Sequence, residues 1–452
     1  MNFSDKSELT PKTVSRRTEA PRGGVLRKAG GLGGAAVLAM ASSGAFALST
    51  GTDLNLSMKA AAGGMAGAAY TKPQEASAAL FGNPATMTQF GGTNFNLGAA
   101  YLSSTLQNTQ SGAGTHTSQS EAKDYVAPDL AVTHELGGGW YLGAGLEVDA
   151  GIGADFRNSP ITLPNISADP AVTGLPLVVE LLSFNVNLAA AKKLTPQTSV
   201  GAALTIGFGL AQLGTAGPSG SLDFEGGPGS FGGTTSSVHN FGVGGSLGIT
   251  HQLTSDLMLS GAIKSPVAYN FKNIVHTTVG NAGFQDLKIE QPLELVLGGA
   301  YDIAPGWMVE ADLAWKNWSK AKTYQDAYKD QFLLSIGTQY KTGPWSLRMG
   351  YSYAEDIMRD EPNVTLGGLR GLGPVPLSGT NDVVKLVQTT LLPVVMNHTL
   401  TAGAGYDFSK NVRLDAFAAY AFKNDISRAT ALGNYKGEVD QWAVGLGLNY
   451  KF

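Results

Sequence analysis

No stretch of this chain offers the roughly twenty consecutive uncharged apolar residues that a membrane-crossing helix needs. Its last residues, VDQWAVGLGLNYKF at 439–452, nevertheless carry an unbroken bulky face. Trp442, Val444, Leu446, Leu448, Tyr450 and Phe452 fall on one side of an extended strand, and Gln441, Ala443, Gly445, Gly447, Asn449 and Lys451 on the other. One side is large and aromatic at its ends; the other is small or polar. The same period recurs in 198–210, 306–318 and 331–341. In the last two, charges such as Glu310, Asp312 and Lys341 sit on the minority side. Buried charge needs water or a partner, which a wet lumen supplies and a sandwich core does not. If such a chain spans a membrane, it does so as a closed barrel, because lipid cannot satisfy an open strand edge.

The pattern predicts strands at 93–106, 124–136, 139–152, 180–193, 198–213, 237–252, 257–270, 287–303, 306–318, 330–342, 344–354, 396–408, 411–423 and 438–452. That is an even fourteen. Short turns at 137–138, 194–197, 253–256, 304–305, 343 and 409–410 alternate with long loops at 107–123, 153–179, 214–236, 271–286, 319–329, 355–395 and 424–437. Short connections on one side and long ones on the other mark an outer-membrane barrel. The fold class expected is therefore all-β: a transmembrane antiparallel β-barrel of 14 strands at 93–452. Its lumen side is expected to carry Glu147, Asp149, Lys264, Glu294, Glu310, Asp312, Lys316, Lys341, Arg348, Arg413 and Asp415, charges of both signs. A selective ion pore favours one sign.

The N-terminus reads as a secretory signal over 1–47. It has seven basic residues before Gly30, an apolar run at 30–40, and an A-x-A site at Ala45 and Ala47. Its removal leaves a net charge of −8, which gives no footprint for nucleic acid. The chain has no Cys, so disulfides and thiolate chemistry are excluded. No zinc-protease, nucleophile-elbow or phosphate-loop motif is present, and the six His are scattered. His134 and His251 fall near turns, as interfacial residues would, and His398 reads as structural. Neither a metal nor a cofactor is called for, and the chain is not read as an enzyme.

Between the signal and the first strand lies a compact module, 48–92. It is rich in Ala and Gly and ends in LFGNPATMTQFGG at 80–92. Gly82-Asn83-Pro84 is turn chemistry. Two long loops are unusually apolar: PITLPNISADPAVTGLPLVV at 160–179 and VVKLVQTTLLPVVM at 383–396. A sugar or ion porin has little use for such surface, whereas capture of a hydrophobic solute does.

Three stretches carry a resemblance: FGNPATMTQF at 81–90, QPLELVLGGAYDIAPGWMVEADLAWKNWS at 291–319, and PVVMNHTLTAGAGYDF at 393–408. With a signal peptide ahead and an aromatic terminus, the chain resembles the outer-membrane family of the long-chain fatty acid transporter and the toluene-type hydrocarbon channels. The resemblance implies that 48–92 is an N-terminal hatch, or plug, inside the lumen, with Asn83, Pro84 and Ala85 as its boundary motif. It implies uptake of hydrophobic molecules, long-chain fatty acids or hydrocarbons, by diffusion with lateral release through a break in the third strand. That strand is WYLGAGLEVDAGIGADF at 140–156, and Gly151, Ile152 and Gly153 are its candidates for the opening, since interior glycine marks bulges and bends. Arg359, Arg370 and Lys385 are candidates for meeting a substrate carboxylate. The partners implied are a hydrophobic small molecule and outer-membrane lipid, the state a monomer, the location the bacterial outer membrane. The alternative is a general diffusion porin for small polar solutes. Adhesion, a third role, needs no plug.

Overall fold

The computed structural model describes residues 55–215, 224–225, 238–277, 283–370, 379–393 and 396–452. The expected signal at 1–47 lies outside them. Fourteen strands form the wall: β1 (Thr93–Ser111), β2 (Asp124–Gly137), β3 (Trp140–Asp155), β4 (Leu177–Lys193), β5 (Thr198–Thr215), β6 (Val238–Gln252), β7 (Leu257–Lys264), β8 (Glu294–Ala304), β9 (Trp307–Lys316), β10 (Gln331–Thr342), β11 (Trp345–Ala354), β12 (His398–Asp407), β13 (Val412–Thr430) and β14 (Gly433–Lys451). Each pairs antiparallel with the next, and β14 returns to β1, from Asn94 opposite Lys451 to Ser111 opposite Asn434. The barrel is closed and 14-stranded, as the alternation requires.

The two faces also fall as read. On β14, Trp442, Val444, Leu446 and Leu448 are exposed while Gln441 and Ala443 are buried. At the short-turn end, Trp345 stacks edge-on against Tyr406 and Tyr450 against Phe452, both at 4.7 Å between centroids. Toward the loop end Tyr101 meets Trp442. These are the interfacial girdles expected of a lipid-facing band. Inside, Glu310, Asp312, Lys316, Arg348 and Asp415 are buried. Arg348 donates from Nη1 to Asp415 at 2.8 Å with both side chains fully enclosed. Lys341, on the same side of β10 as the buried Ser335 and Gln339, is exposed at the short-turn end of the lumen.

Several boundaries differ, those of β1 (to Ser111, not 106), β7, β8, β13 and β14 the most. β7 stops at Lys264, not 270, and β8 starts at Glu294, not 287. Between them, Val267–Thr277 and Gly283–Gln291 form a hairpin outside the barrel sheet. Ser265-Pro266 and Pro292 mark the departures, since Pro cannot donate to a ladder. β13 and β14 run on to Thr430 and Gly433 and meet at Ala431-Leu432, so most of the loop expected at 424–437 is strand. Within the loop expected at 107–123, Thr115–Gln119 pairs back onto β1.

Candidate functional site

The described segment ahead of β1 is built of short turns of helix, Asn55–Met58, Ala60–Gly63, Ala76–Phe81 and Pro84–Gln89. Ala and Gly give it little side-chain bulk, so the backbone approaches the wall closely. Its partners are lumen-facing groups around the ring. Lys59 Nζ reaches Glu147 on β3 at 2.5 Å. On β9, Asp312 accepts from the amides of Ala69 and Tyr70 at 2.9 and 3.2 Å, and Glu310 from those of Thr71 and Lys72 at 2.7 and 3.1 Å. Two wall carboxylates thus take up four backbone donors of the non-helical stretch between Ala60–Gly63 and Ala76–Phe81, which has no ladder of its own to bond them. Glu75, within the segment, does the same for Ala61 and Ala62.

Asn83, Pro84 and Ala85 are fully buried. Asn83 caps the Pro84–Gln89 turn: its Oδ1 accepts from Ala85 N at 3.1 Å, and its Nδ2 donates to the carbonyls of Tyr70 at 3.0 Å and Ile249 at 3.3 Å. The wall yields room at this point. Gly201 on β5 and Gly248 on β6 stand directly opposite each other. A Cβ on Gly248 would overlap Asn83 Oδ1, and one on Gly201 would overlap Pro84 and Ala85.

The third strand is irregular. β3 pairs with β2 only from Trp140 to Glu147, and the last pair is Asp129 with Glu147. Beyond it, among the described residues, 124–128 of β2 pair with β1 alone and 148–155 of β3 with β4 alone. The strands are tied again above, where Glu121 N donates to Asp155 O at 2.8 Å and Asp155 N to Ser120 Oγ at 2.9 Å. An opening in the wall ladder lies between these ties. Pro128, which has no N–H, stands on its β2 edge. The register shift on β3 falls between Val148 and Ala150, making Asp149 the bulged residue. Gly151, Ile152 and Gly153 follow the bulge and pair regularly with Leu182, Leu181 and Glu180. They lie along the opening and not at the kink. A bulge needs one extra residue, not a glycine, so the glycine count could not locate it.

Beside the opening is an apolar cavity of about 100 Å³. Ile152 of β3, Leu181 of β4, Ala211 of β5, and Leu287 and Ile289 of the hairpin line it on the barrel side. The two apolar loops meet there: Leu175, Leu177 and Val179 come from the first, and Val383, Leu386, Val387, Leu391 and Leu392 from the second. The helix Asp382–Thr390 presents Val383, Leu386 and Val387 of the second, and Leu391 and Leu392 follow its end. The hairpin was not legible as a contributor. Its signal was the Tyr269/Phe271 alternation opposite Leu287/Ile289, which was divided between two expected strands and a loop.

The three basic candidates do not line this cavity. Arg359 Nε donates to the Tyr328 carbonyl at 2.7 Å, Lys385 Nζ lies 3.4 Å from Glu361, and the Arg370 backbone bonds Gln285. Among the described residues, the one charged member of the lining is Glu180. No group of three or more His, Asp or Glu among them is placed to hold a metal.

Among solved structures, the chain is similar to the Pseudomonas putida toluene transporter TodX, with 21% identity over 88% of this chain and 99% of that one at a TM-score of 0.64. It is also similar to a Pseudomonas aeruginosa FadL homologue, with 14% identity over 89% and 100% at 0.63. For the Ralstonia pickettii toluene transporter TbuX the identity is 20% over 88% and 100%, at 0.59. At these identities the likeness establishes the fold. A search of curated proteins found no match. A family model spans residues 34–365, most of the chain. That family consists of transport channels of the bacterial outer membrane for hydrophobic compounds, not of enzymes. The closed 14-stranded wall and the matched span together place the chain in the outer membrane protein transport protein family (OMPP1/FadL/TodX).

Proposed function

We propose that residues 48–92 are a hatch that closes the lumen, and that an uncharged hydrophobic solute passes through the apolar cavity and leaves sideways between β2 and β3 into the bilayer. The observation that carries this reading is Ile152. It lines the cavity and also lies on the stretch of β3 that has no β2 partner. The energetics favour the same route. An apolar solute crossing the whole lumen would return to water at its far end, losing roughly 0.8 kcal/mol for each CH₂ exposed. An exit through the wall avoids that loss. The lining favours an uncharged solute over a carboxylate, because Arg359, Arg370 and Lys385 stand elsewhere and Glu180 would repel an anion.

The protein acts in this reading as a monomer, since one closed ring holds both cavity and opening. The rival, a diffusion porin, needs a free lumen, and the contacts of Asn55–Gln89 with strands around the ring speak against it. Liposomes separate the two: hydrocarbon uptake without sugar-driven swelling supports the transporter, and swelling supports the porin. For the exit, deleting Asp149 restores a regular β3, and replacing Gly151 and Gly153 by Val stiffens it. Uptake is expected to fall at normal surface levels of the protein. Uptake at the wild-type rate with an intact β2–β3 ladder would rule out the lateral route.

A further inference from the structure

A second space of about 40 Å³ is lined from the same β3, β4 and hairpin as the apolar cavity, a few residues further along each, and its character is opposite. Asn185 and Asn187 of β4, Ser246 of β6 and Gln291 of the hairpin line it, with Glu147 and Asp149 of β3 and the Lys264–Glu294 pair beside them; Phe81 of the N-terminal segment closes one side. It thus lies between the cavity and that segment. The boundary is sharp. On the hairpin, Ile289 lines the cavity and Gln291, two residues on, lines the chamber; on β4, Leu181 lines the cavity and Asn185 the chamber. Tyr269, opposite Ile289, stands at the divide, fully buried against Gly207 and Gly209.

Four of the chamber's polar side chains are left with unsatisfied atoms, although Glu147 is held by Lys59, Asp149 by Ser183, and Lys264 and Glu294 by each other. Asn185 Oδ1, Asn187 Oδ1, Ser246 Oγ and both amide atoms of Gln291 are enclosed and have no hydrogen-bond partner. Each of these side chains is more than nine-tenths buried. Buried polar groups in native proteins are almost always bonded, to protein or to ordered water. A water needs about 10–15 Å³ of such space and two to four polar partners. The chamber has room for about three, and the partners converge on it.

We infer that this chamber holds an ordered water cluster, and that the cluster is the barrier that turns an apolar solute away from the hatch and toward the opening between β2 and β3. The inference rests on the lateral-exit reading and adds the reason why solute does not descend. A hydrocarbon entering the chamber would displace waters whose hydrogen bonds it cannot replace, leaving Gln291, Ser246 and the two asparagines unbonded. Through Ile152 the opening offers an apolar surface at the same level. Asn187, Ser246 and Gln291 are therefore specificity-determining residues. They set how deep an apolar molecule goes without touching it along its path.

Crystals of the full barrel soaked in 4-bromotoluene test this, because anomalous scattering locates bromine independently of the protein. The expected maps show water peaks at hydrogen-bond distance from Ser246 and Gln291, and bromine in the apolar cavity only. In the triple variant Asn187→Leu, Ser246→Ala, Gln291→Leu, the waters are expected to be lost and a bromine peak to appear in the chamber. Bromine in the wild-type chamber, a chamber without water, or a triple variant with bromine still confined to the cavity would each overturn the inference. Should the triple variant fail to assemble, the wild-type maps decide alone. Failure here is distinct from failure of the exit route: a dry chamber in a protein whose sealed β3 variant cannot transport sinks only the barrier.

Discussion

Gly248→Ala tests how the N-terminal segment is held. The added Cβ falls on Asn83 Oδ1, so Asn83 must move. Moving it breaks three bonds, Ala85 N to Oδ1 at 3.1 Å and Nδ2 to the Tyr70 and Ile249 carbonyls at 3.0 and 3.3 Å. At a net value of about 1 kcal/mol each, the segment's docking weakens by about 3 kcal/mol. That is on the order of a hundredfold in the ratio of displaced to seated segment. The barrel itself is untouched, because the change lies on a side chain facing inward and not in the β5–β6 ladder. In planar bilayers the variant is therefore predicted to show large conductance steps far more often than wild type, while its heat-modifiable mobility on gels stays the same. Gly261→Ala is the control: its nearest neighbour would be Ile249 Cγ2 at an ordinary 3.6 Å. A Gly248→Ala channel as quiet as wild type and as Gly261→Ala would refute the reasoning. It would mean either that Asn83 is not seated there or that the seat does not hold the segment.

Deleting 48–88 is predicted to raise single-channel conductance while the barrel still folds, and unchanged conductance would remove the plug. Leu446→Arg puts a cation on a lipid-facing position that is 60% exposed, and is predicted to cost about 2–4 kcal/mol in a chemical unfolding titration in lipid. Near-zero cost there, with Gly447→Arg harmful only through its clash with Ala60, would mean that the band lies outside the membrane. Arg348→Met leaves Asp415 enclosed with one cation, Arg413, at 3.1 Å, and is predicted to lower stability by about 3–5 kcal/mol in the same titration. Full stability would show that water reaches Asp415.

The sequence made the wall legible where lipid touches it. Strand count, closure and the inward or outward sense of Trp442 through Phe452 follow from one physical fact: lipid demands bulky apolar side chains at every second position. Above the bilayer that demand ends. The upper halves of β13 and β14 contain NDISRAT and GNYKG, with polar residues on both faces, and so they read as loop although they are paired strand. The hairpin Val267–Thr277 and Gly283–Gln291 was obscured for the opposite reason. Its apolar alternation is real but serves the cavity, so it looked like more wall. The cavity's two apolar loops were visible by composition, and their meeting was not, since they come from opposite sides of more than two hundred residues. Arg359 and Lys385 were legible only as charges. Their engagement by the Tyr328 carbonyl and Glu361 depends on loop packing that no local pattern encodes.

One consequence of the N-terminal segment's contacts concerns the order of biogenesis. The segment leaves the ribosome before any strand of the wall. Yet Ala60 packs under Gly447 of the last strand, Gly64 against Gly403 of β12, and Met65 against Gly337 and Gly350. Its complete set of partners therefore exists only once the seam between β1 and β14 has formed. The piece made first is the piece satisfied last. Such long-range pairing delays the energetic reward until late in assembly. Until then Glu310 and Asp312 have no amides to hold and remain hydrated. Seam closure and the burial of Glu310 and Asp312 are thus a single cooperative event, and a chain stalled before its final strand would present both an open edge and a wet, charged trough to the machinery that inserts it.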